Sequence, residues 1–410
     1  MSDQIARQRE VLRASRSFRL LFGSTLISGL GTWIAVVALV IDITARTGSA
    51  VWVSALLIAD FLPGIAIGLL LGPLVDRLSR KRLLVGADVT RLAVFVLLAF
   101  AVSAWQIVAL ALIAGIASGF ARPAAYAGLP NLVSEEMLPR ANSLLRTADQ
   151  LTIMAGTLVG GVVVAASGPD LAYWLNAASF LLSACLVVQI SAALLQRGKA
   201  ESHGHWADVA DGFRAIGRSN ALKTVMVSWN LVMLAIALAN VAEVFLATVA
   251  FDAGSFGYGL MWAASGLGAV IGAMMASAWL ERRSMTAVYT AAIALMGIGY
   301  LAAGGSPNIW VAVWCVLIGG IGNASAIVCN SLLVQRGAPD AVRGRVFTVI
   351  MGSNFAVLGI GMALTGPLVE VVGPRWVYAI AGGIALVASI SGYVMLRREP
   401  RTVAEPVPSS

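Results

Sequence analysis

Twelve apolar runs, each long enough to cross a bilayer as a helix, follow one another along this chain with short polar stretches between them. They fall at about 18–43, 51–71, 83–104, 106–126, 143–167, 172–195, 222–250, 257–280, 286–303, 309–333, 342–371 and 376–396. In hydrocarbon every backbone N–H and C=O must be paired inside the protein, so runs of this length read as helices. Composition points the same way: 59% of the 410 residues are hydrophobic, 12% are charged, and the mean hydropathy is +0.87. The expected fold class is all-α integral membrane, with little chain left for a separate soluble domain.

The net charge of +8 raises the question of nucleic acid, and the placement of the basic residues answers it. Arg46 and Arg375 fall in loops on one side and Arg91 and Arg122 within spans, which leaves 24 of the 28 basic residues on the other side and its tails. That asymmetry orients a membrane protein and assigns the basic side to the cytoplasm. Both termini are then cytoplasmic, in a multi-pass protein of the cell inner membrane, with the lipid bilayer and no nucleic acid as partner. Cys185, Cys315 and Cys329 all lie in apolar runs, so neither a disulfide framework nor a metal site is indicated. The run at 18–43 is too long for a signal-peptide core, and the first helix is expected to be retained.

Between the second and third runs the chain reads Gly72-Pro73-Leu74-Val75-Asp76-Arg77-Leu78-Ser79-Arg80-Lys81-Arg82-Leu83-Leu84. A charge near the bilayer centre costs roughly 2.5–3.5 kcal/mol even on the lenient insertion scale, so this cluster belongs at a membrane surface. Gly72, Leu74, Asp76, Arg77, Arg80, Lys81 and Leu84 resemble the signature loop between helices 2 and 3 of the major facilitator superfamily of secondary transporters; Ser79 stands where that family usually has glycine. Asp88-x-x-Arg91, Pro123-Ala124 and Arg140-Ala141-Asn142 are similar to the branch that includes macrolide-efflux and enterobactin-exporter proteins. The superfamily's antiporter motif on helix 5 has a longer glycine series that sets a Gly-Pro within the helix, whereas here Gly168-Pro169 follows at the helix end, after the packing run Gly156–Gly161.

The resemblance implies two pseudo-symmetric six-helix bundles working by alternating access, and export of an amphiphilic small molecule of drug, macrolide or siderophore type. It implies a gate on the basic side in which Asp76 and Arg80 hold the bundles together, Asp76 partly through the start of helix 11 near Val342, with Arg343 and Arg345 as further charge partners. It also implies a substrate cavity lined by helices 1, 4, 7 and 10, which carry Trp33, Asn230, Asn240, Trp314 and Asn323. Aromatic rings with a few amides suit a large lipophilic ligand. Ordinary helix packing accounts for any one of these residues equally well.

The second half of the chain echoes the first. Asp76-Arg77 recurs as Glu281-Arg282 and Arg140-Ala141 as Arg343-Gly344, at offsets of 205 and 203 residues. Six crossings per half bring each half back to its starting side, so the repeat is parallel about an axis along the membrane normal. The expected division is a first bundle at 1–195, a cytoplasmic linker at 196–220, a second bundle at 221–396 and a disordered tail at 397–410. The linker contains an amphipathic stretch at 206–216 and the pair His203 and His205, read as a solvated loop rather than half of a metal site.

No phosphate-binding Gly-x-x-x-x-Gly-Lys-Ser/Thr loop, His-Glu-x-x-His motif or paired-cysteine spacing occurs, so no enzyme activity and no cofactor are expected. An ion gradient, with protons as the coupling partner, is left to supply the energy. Carriers of that proton are sought among acids within spans, since a low dielectric favours the neutral acid. Asp60, Asp149 and Glu243 qualify by position, Asp60 lacking a basic residue in its own helix; each could instead pair with Arg91, Arg122 or a backbone donor. Asp88 and Arg91, three residues apart, share a helix face and form an expected intramembrane ion pair, with Arg122 as a further basic member. A monomer is expected. Uptake or flipping of a lipid or metabolite, and a transport-inactive scaffold or sensor, are the alternative functions.

Overall fold

A computed structural model describes residues 11–12, 14–70, 78–195, 205–338 and 342–397. Twelve long helices run through it: α1 Arg16–Thr47, α2 Ala50–Leu70, α3 Arg80–Leu98, α4 Ala104–Gly128, α5 Leu138–Ser167, α6 Pro169–Val188, α7 Asn220–Phe245, α8 Gly254–Arg282, α9 Met285–Gly304, α10 Ile309–Gly337, α11 Arg343–Val372 and α12 Pro374–Arg397. Ten helices have the length and apolarity to cross a bilayer; of the other two, α2 is apolar over Ala50–Gly64, and α3 opens on Arg80-Lys81-Arg82 and carries Asp88 and Arg91.

Helix ends fall where side chains satisfy the unpaired terminal backbone groups. Ser15 accepts from Phe18 N–H at 3.1 Å to start α1, and Asn308 accepts from Val311 N–H at 3.1 Å to start α10. α5 begins five residues before the expected position because Pro139 occupies its first turn, where a missing N–H costs nothing. α6 stops at Val188 rather than near 195, and a separate turn of helix follows at Ala192–Leu195. Two cations from the start of α3 take the exposed carbonyls: Lys81 Nζ donates to Val188 O at 2.6 Å and Arg80 Nη1 to Leu195 O at 2.9 Å.

Internal symmetry is visible in which helices pack. In the first half α1 packs on α5 and α6, α4 on α2 and α3, and α3 on α6. In the second half α7 packs on α11 and α12, α10 on α8 and α9, and α9 on α12. The five pairs correspond one to one under a shift of six helices. Across the halves α5 packs on α8 and α2 on α11, contacts that exchange under the same shift. The result is two six-helix bundles meeting along two seams.

The turns of the two halves match as well. α5 and α6 are joined by Gly168 alone (φ 76°) and α11 and α12 by Gly373 alone (φ 82°), each followed by proline, again 205 residues apart. A positive φ with no room for extra residues is the condition under which glycine is needed. Both turns lie on the face opposite the one carrying the basic loops, called the basic face below. On the basic face the linker forms a helix at His205–Arg218 that packs on α11, a methyl on Gly212 standing 2.8 Å from the Arg345 carbonyl oxygen.

Charge inside the first bundle is neutralised locally. Asp42 on α1, 5% exposed, accepts from Arg46 at 2.6 Å and from the Tyr173 hydroxyl of α6 at 2.9 Å. Tyr173→Phe removes one donor from a buried carboxylate, at an expected cost of about 1–3 kcal/mol. The measurement is the melting temperature of the purified protein, expected to fall; an unchanged value sets aside the bracing role of this bond.

Candidate functional site

The region where the bundles meet is the candidate site, and it is assembled by small residues. On α5, Gly156 and Gly160 face α1, where added methyls would stand 2.7 Å from Trp33 Cβ and 2.9 Å from Ile34 O. Gly161, one position on, faces the other bundle. A methyl there would lie 2.9 Å from Ser255 O and 3.2 Å from Gly259 Cα of α8, and Ser255 Oγ donates to Gly161 O at 3.3 Å. In the second seam, Gly366 of α11 would meet Val51 Cα at 2.7 Å and Gly359 would meet Leu62 at 3.2 Å. At the opposite-face end Glu370 of α11 accepts from Ser49 Oγ at 2.5 Å and from Val51 N–H at 3.5 Å, at the start of α2. The bundles are thus in close backbone contact toward the opposite face.

Aromatic rings floor this contact. Trp33 of α1 lies 5.6 Å from Trp262 of α8 and 6.2 Å from Phe61 of α2, and Trp262 lies 6.5 Å, edge-on, from Tyr258. Trp33, read from sequence as a cavity residue, sits at this junction. Phe61, Tyr258 and Trp262 escape sequence reading, because one aromatic among 31 in an apolar helix carries no spacing signal of its own.

The other cavity candidates separate. Trp314 is 66% exposed and lies on one stripe of α10 with exposed Trp310 and Ile318. Asn323 is nine residues on, about 2.5 turns, which puts it on the opposite side of the helix. Trp314 and Asn323 therefore cannot line one cavity, and Trp314 belongs to an outer aromatic surface. Asn230 donates to Ser353 Oγ of α11 at 2.6 Å and so ties two helices of one bundle. Asn240 and Asn323 are half-buried, and Asn323 Oδ1 has no hydrogen-bond partner among the described residues.

Among the acids, Asp60 of α2 is half-buried beside Phe61 and makes no hydrogen bond or ion pair with a described residue. Arg91 is the cation whose field it feels. Arg91 itself is held by Asp88 at 2.6 Å and lies 4.2 Å over the Phe180 ring, while Asp88 also accepts from Ser183 at 2.7 Å. Asp88 and Arg91 are thus a pair, as their spacing predicts. Arg122 is not part of it: its guanidinium is 74% exposed and lies 3.7 Å from Asp149, which accepts from the Tyr126 hydroxyl at 2.8 Å. Arg122 and Tyr126 of α4 reach Asp149 of α5 with their long side chains, so the two meet through the fold rather than through spacing. Glu243 of α7 is 6% exposed, with the Tyr378 hydroxyl within bonding reach.

Gly72, Asp76 and Arg77 of the signature loop lie outside the described residues. The bonds of Arg80 and Lys81 described above go to carbonyls of their own bundle rather than across a seam. Glu281 and Arg282 are exposed at the basic-face end of α8, and Arg343 donates to Ala338 O at 3.4 Å. Arg345 supplies the backbone on which the linker helix rests.

The family model of the Major Facilitator Superfamily matches residues 21–359 and 244–410. Multidrug efflux pump Tap of Mycolicibacterium fortuitum is 27% identical over 378 residues, covering 86% of this chain and 89% of that protein. Macrolide efflux protein A of Streptococcus pyogenes is 21% identical over 387 residues, covering 91% and 94%. Among solved structures, a POT family transporter in complex with a thioalcohol-conjugated peptide superposes with a TM-score of 0.76 at 13% identity, covering 93% of this chain and 96% of that one. That level of identity speaks for the fold alone.

Proposed function

Because this chain belongs to the Major Facilitator Superfamily, we propose that it is a secondary active transporter that exports an amphiphilic small molecule, of drug or macrolide type, in exchange for entering protons. The observation that carries the reading is the junction of Trp33, Phe61 and Trp262 where the bundles meet, with Asp60 adjacent to Phe61 on α2. Flat rings at the point of alternating contact suit a large apolar ligand, and an acid with no hydrogen bond or ion pair to a described residue is free to change its proton there. The names of the two efflux relatives, each aligned along most of the chain, agree with export.

On this reading both termini are cytoplasmic, which an even number of crossings from the face carrying the basic loops supports. On this reading the seams closed toward the opposite face make the present arrangement the one open to the cytoplasm. The protein works as a monomer in the inner membrane and uses no cofactor. Accumulation of macrolides, dyes and catecholate siderophores, compared between deletion and overexpression strains, tests direction and substrate together. Unchanged accumulation of all three classes counts against export.

Trp33→Ala is expected to weaken export of the transported class about tenfold, roughly the 0.5–1.5 kcal/mol of an aromatic pair together with lost ligand contact. The check is initial efflux rate at matched expression. Trp314→Ala serves as the comparison and is expected to leave the rate unchanged.

A further inference from the structure

Glu243 is buried among tyrosines and orphaned donors, and no described cation pairs with it. The Tyr378 hydroxyl of α12 is within bonding reach of it, Tyr258 of α8 and Tyr300 of α9 lie close enough to feel its charge, and the rings of Tyr300 and Tyr378 lie 5.7 Å apart. The basic residue on the adjoining rim, Arg375 of α12, is turned away to the carbonyls of Gly304, Ser306 and Ala250 and stacks on Phe251 at 4.7 Å. Three buried polar atoms on the residues between the carboxyl and the junction make no hydrogen bond with a described residue: Glu243 Oε1, Tyr258 Oη and Trp262 Nε1. They are an acceptor, a hydroxyl that can do either, and a donor. Orphaned atoms of mixed character in one buried place are the partners an ordered water requires.

We propose that Glu243 is a second, exchangeable proton-binding site, located in the C-terminal bundle and connected to the Trp33–Trp262 junction by water bound at the Tyr258 hydroxyl and the Trp262 indole N–H. A bare carboxylate with no counter-charge is costly in such a place, so the proton accompanies it while the seam is shut. When the proton leaves to the water, the Tyr378 hydroxyl, already within bonding reach, donates to the charge left behind. Parting of Trp33 from Trp262 as the seam opens uncovers the same path. The role of this site in the transport cycle rests on the export reading above; the existence of the site does not.

The test uses the full-length protein in liposomes, without substrate, with pH-difference infrared spectroscopy of the carboxylic C=O stretch. A band that titrates in the parent and disappears in Glu243→Gln, while persisting in Asp60→Asn, is the expected result. Tyr258→Phe, which keeps the ring and the acid, is expected to retain the band but slow its exchange after a pH jump. Identical difference spectra for the parent and Glu243→Gln overturn the proposal, as does a band whose exchange is indifferent to Tyr258→Phe. Gradient-driven flux is then measured separately. If the infrared result holds but the parent shows no pH-driven export, the export reading fails and the proton site stands.

Discussion

Asp60→Asn is expected to leave the protein folded and able to exchange substrate across the membrane, yet to lower efflux driven by an imposed pH gradient about 100-fold, to the passive rate. The change removes one ionisable group and almost no volume. Asp60 makes no hydrogen bond or ion pair with a described residue, so little structure depends on its charge. Its carboxyl still feels Arg91. That cation is held by Asp88, so loss of the Asp60 charge does not strand it. Asparagine imitates the protonated form permanently and uncouples the two fluxes. The factor corresponds to about 2.7 kcal/mol of lost coupling free energy, within the range that separates distinct sites in allosteric systems. Reconstituted vesicles at equal protein content give the measurement, with substrate counterflow as the control. Full gradient dependence in Asp60→Asn removes Asp60 from the coupling role.

Gly161→Val is expected to stop transport by a different route, holding the opposite-face seam apart. A side chain at this position meets the Ser255 carbonyl and the Gly259 backbone, neither of which can rotate away. Overpacking of a tight contact costs about 1–3 kcal/mol. Because that cost falls only on the arrangement in which α5 and α8 touch, it moves the balance between the two states roughly 5- to 150-fold. Gly160→Val, on the same helix but facing α1, strains one bundle internally and is expected to lower stability without that bias. A single cysteine at Leu62, which faces Gly359 across the second seam, reports the state in a background lacking Cys185, Cys315 and Cys329. Labelling from outside should rise in Gly161→Val and not in Gly160→Val. Equal labelling in both contradicts a seam held by backbone contact.

The legible part of this protein in its sequence is what depends on short separations. Apolar runs gave the spans, and the Asp88–Arg91 spacing gave an ion pair that forms at 2.6 Å. Two recurring dipeptides gave the duplication, and its offset of 205 residues is shared by the Gly168 and Gly373 turns. Contacts between helices far apart in the chain were not legible. Arg122 reaches Asp149 instead of joining Asp88 and Arg91, a choice the sequence left open among several partners. Lipid and bundle interior are both apolar, so no polar stripe on α10 announces that Trp314 points outward while Asn323 points the other way. The Trp33–Trp262 contact joins helices from different halves, and a sequence read one half at a time does not contain it. The end of α6 likewise depends on where Lys81 arrives from α3.

The hairpins at Gly168 and Gly373 have no slack. α5 touches the neighbouring bundle along one seam and α11 along the other, and each is followed, after a single residue, by a helix on its own bundle's flank. Neither helix can slide alone by even one turn, since a one-residue tether spans only about 3–4 Å against the ~5.4 Å of a helical pitch. Motion at either seam is therefore handed on to α6 or α12, and the halves are constrained to tilt as solid bodies, with any bending left to the longer connections on the other side.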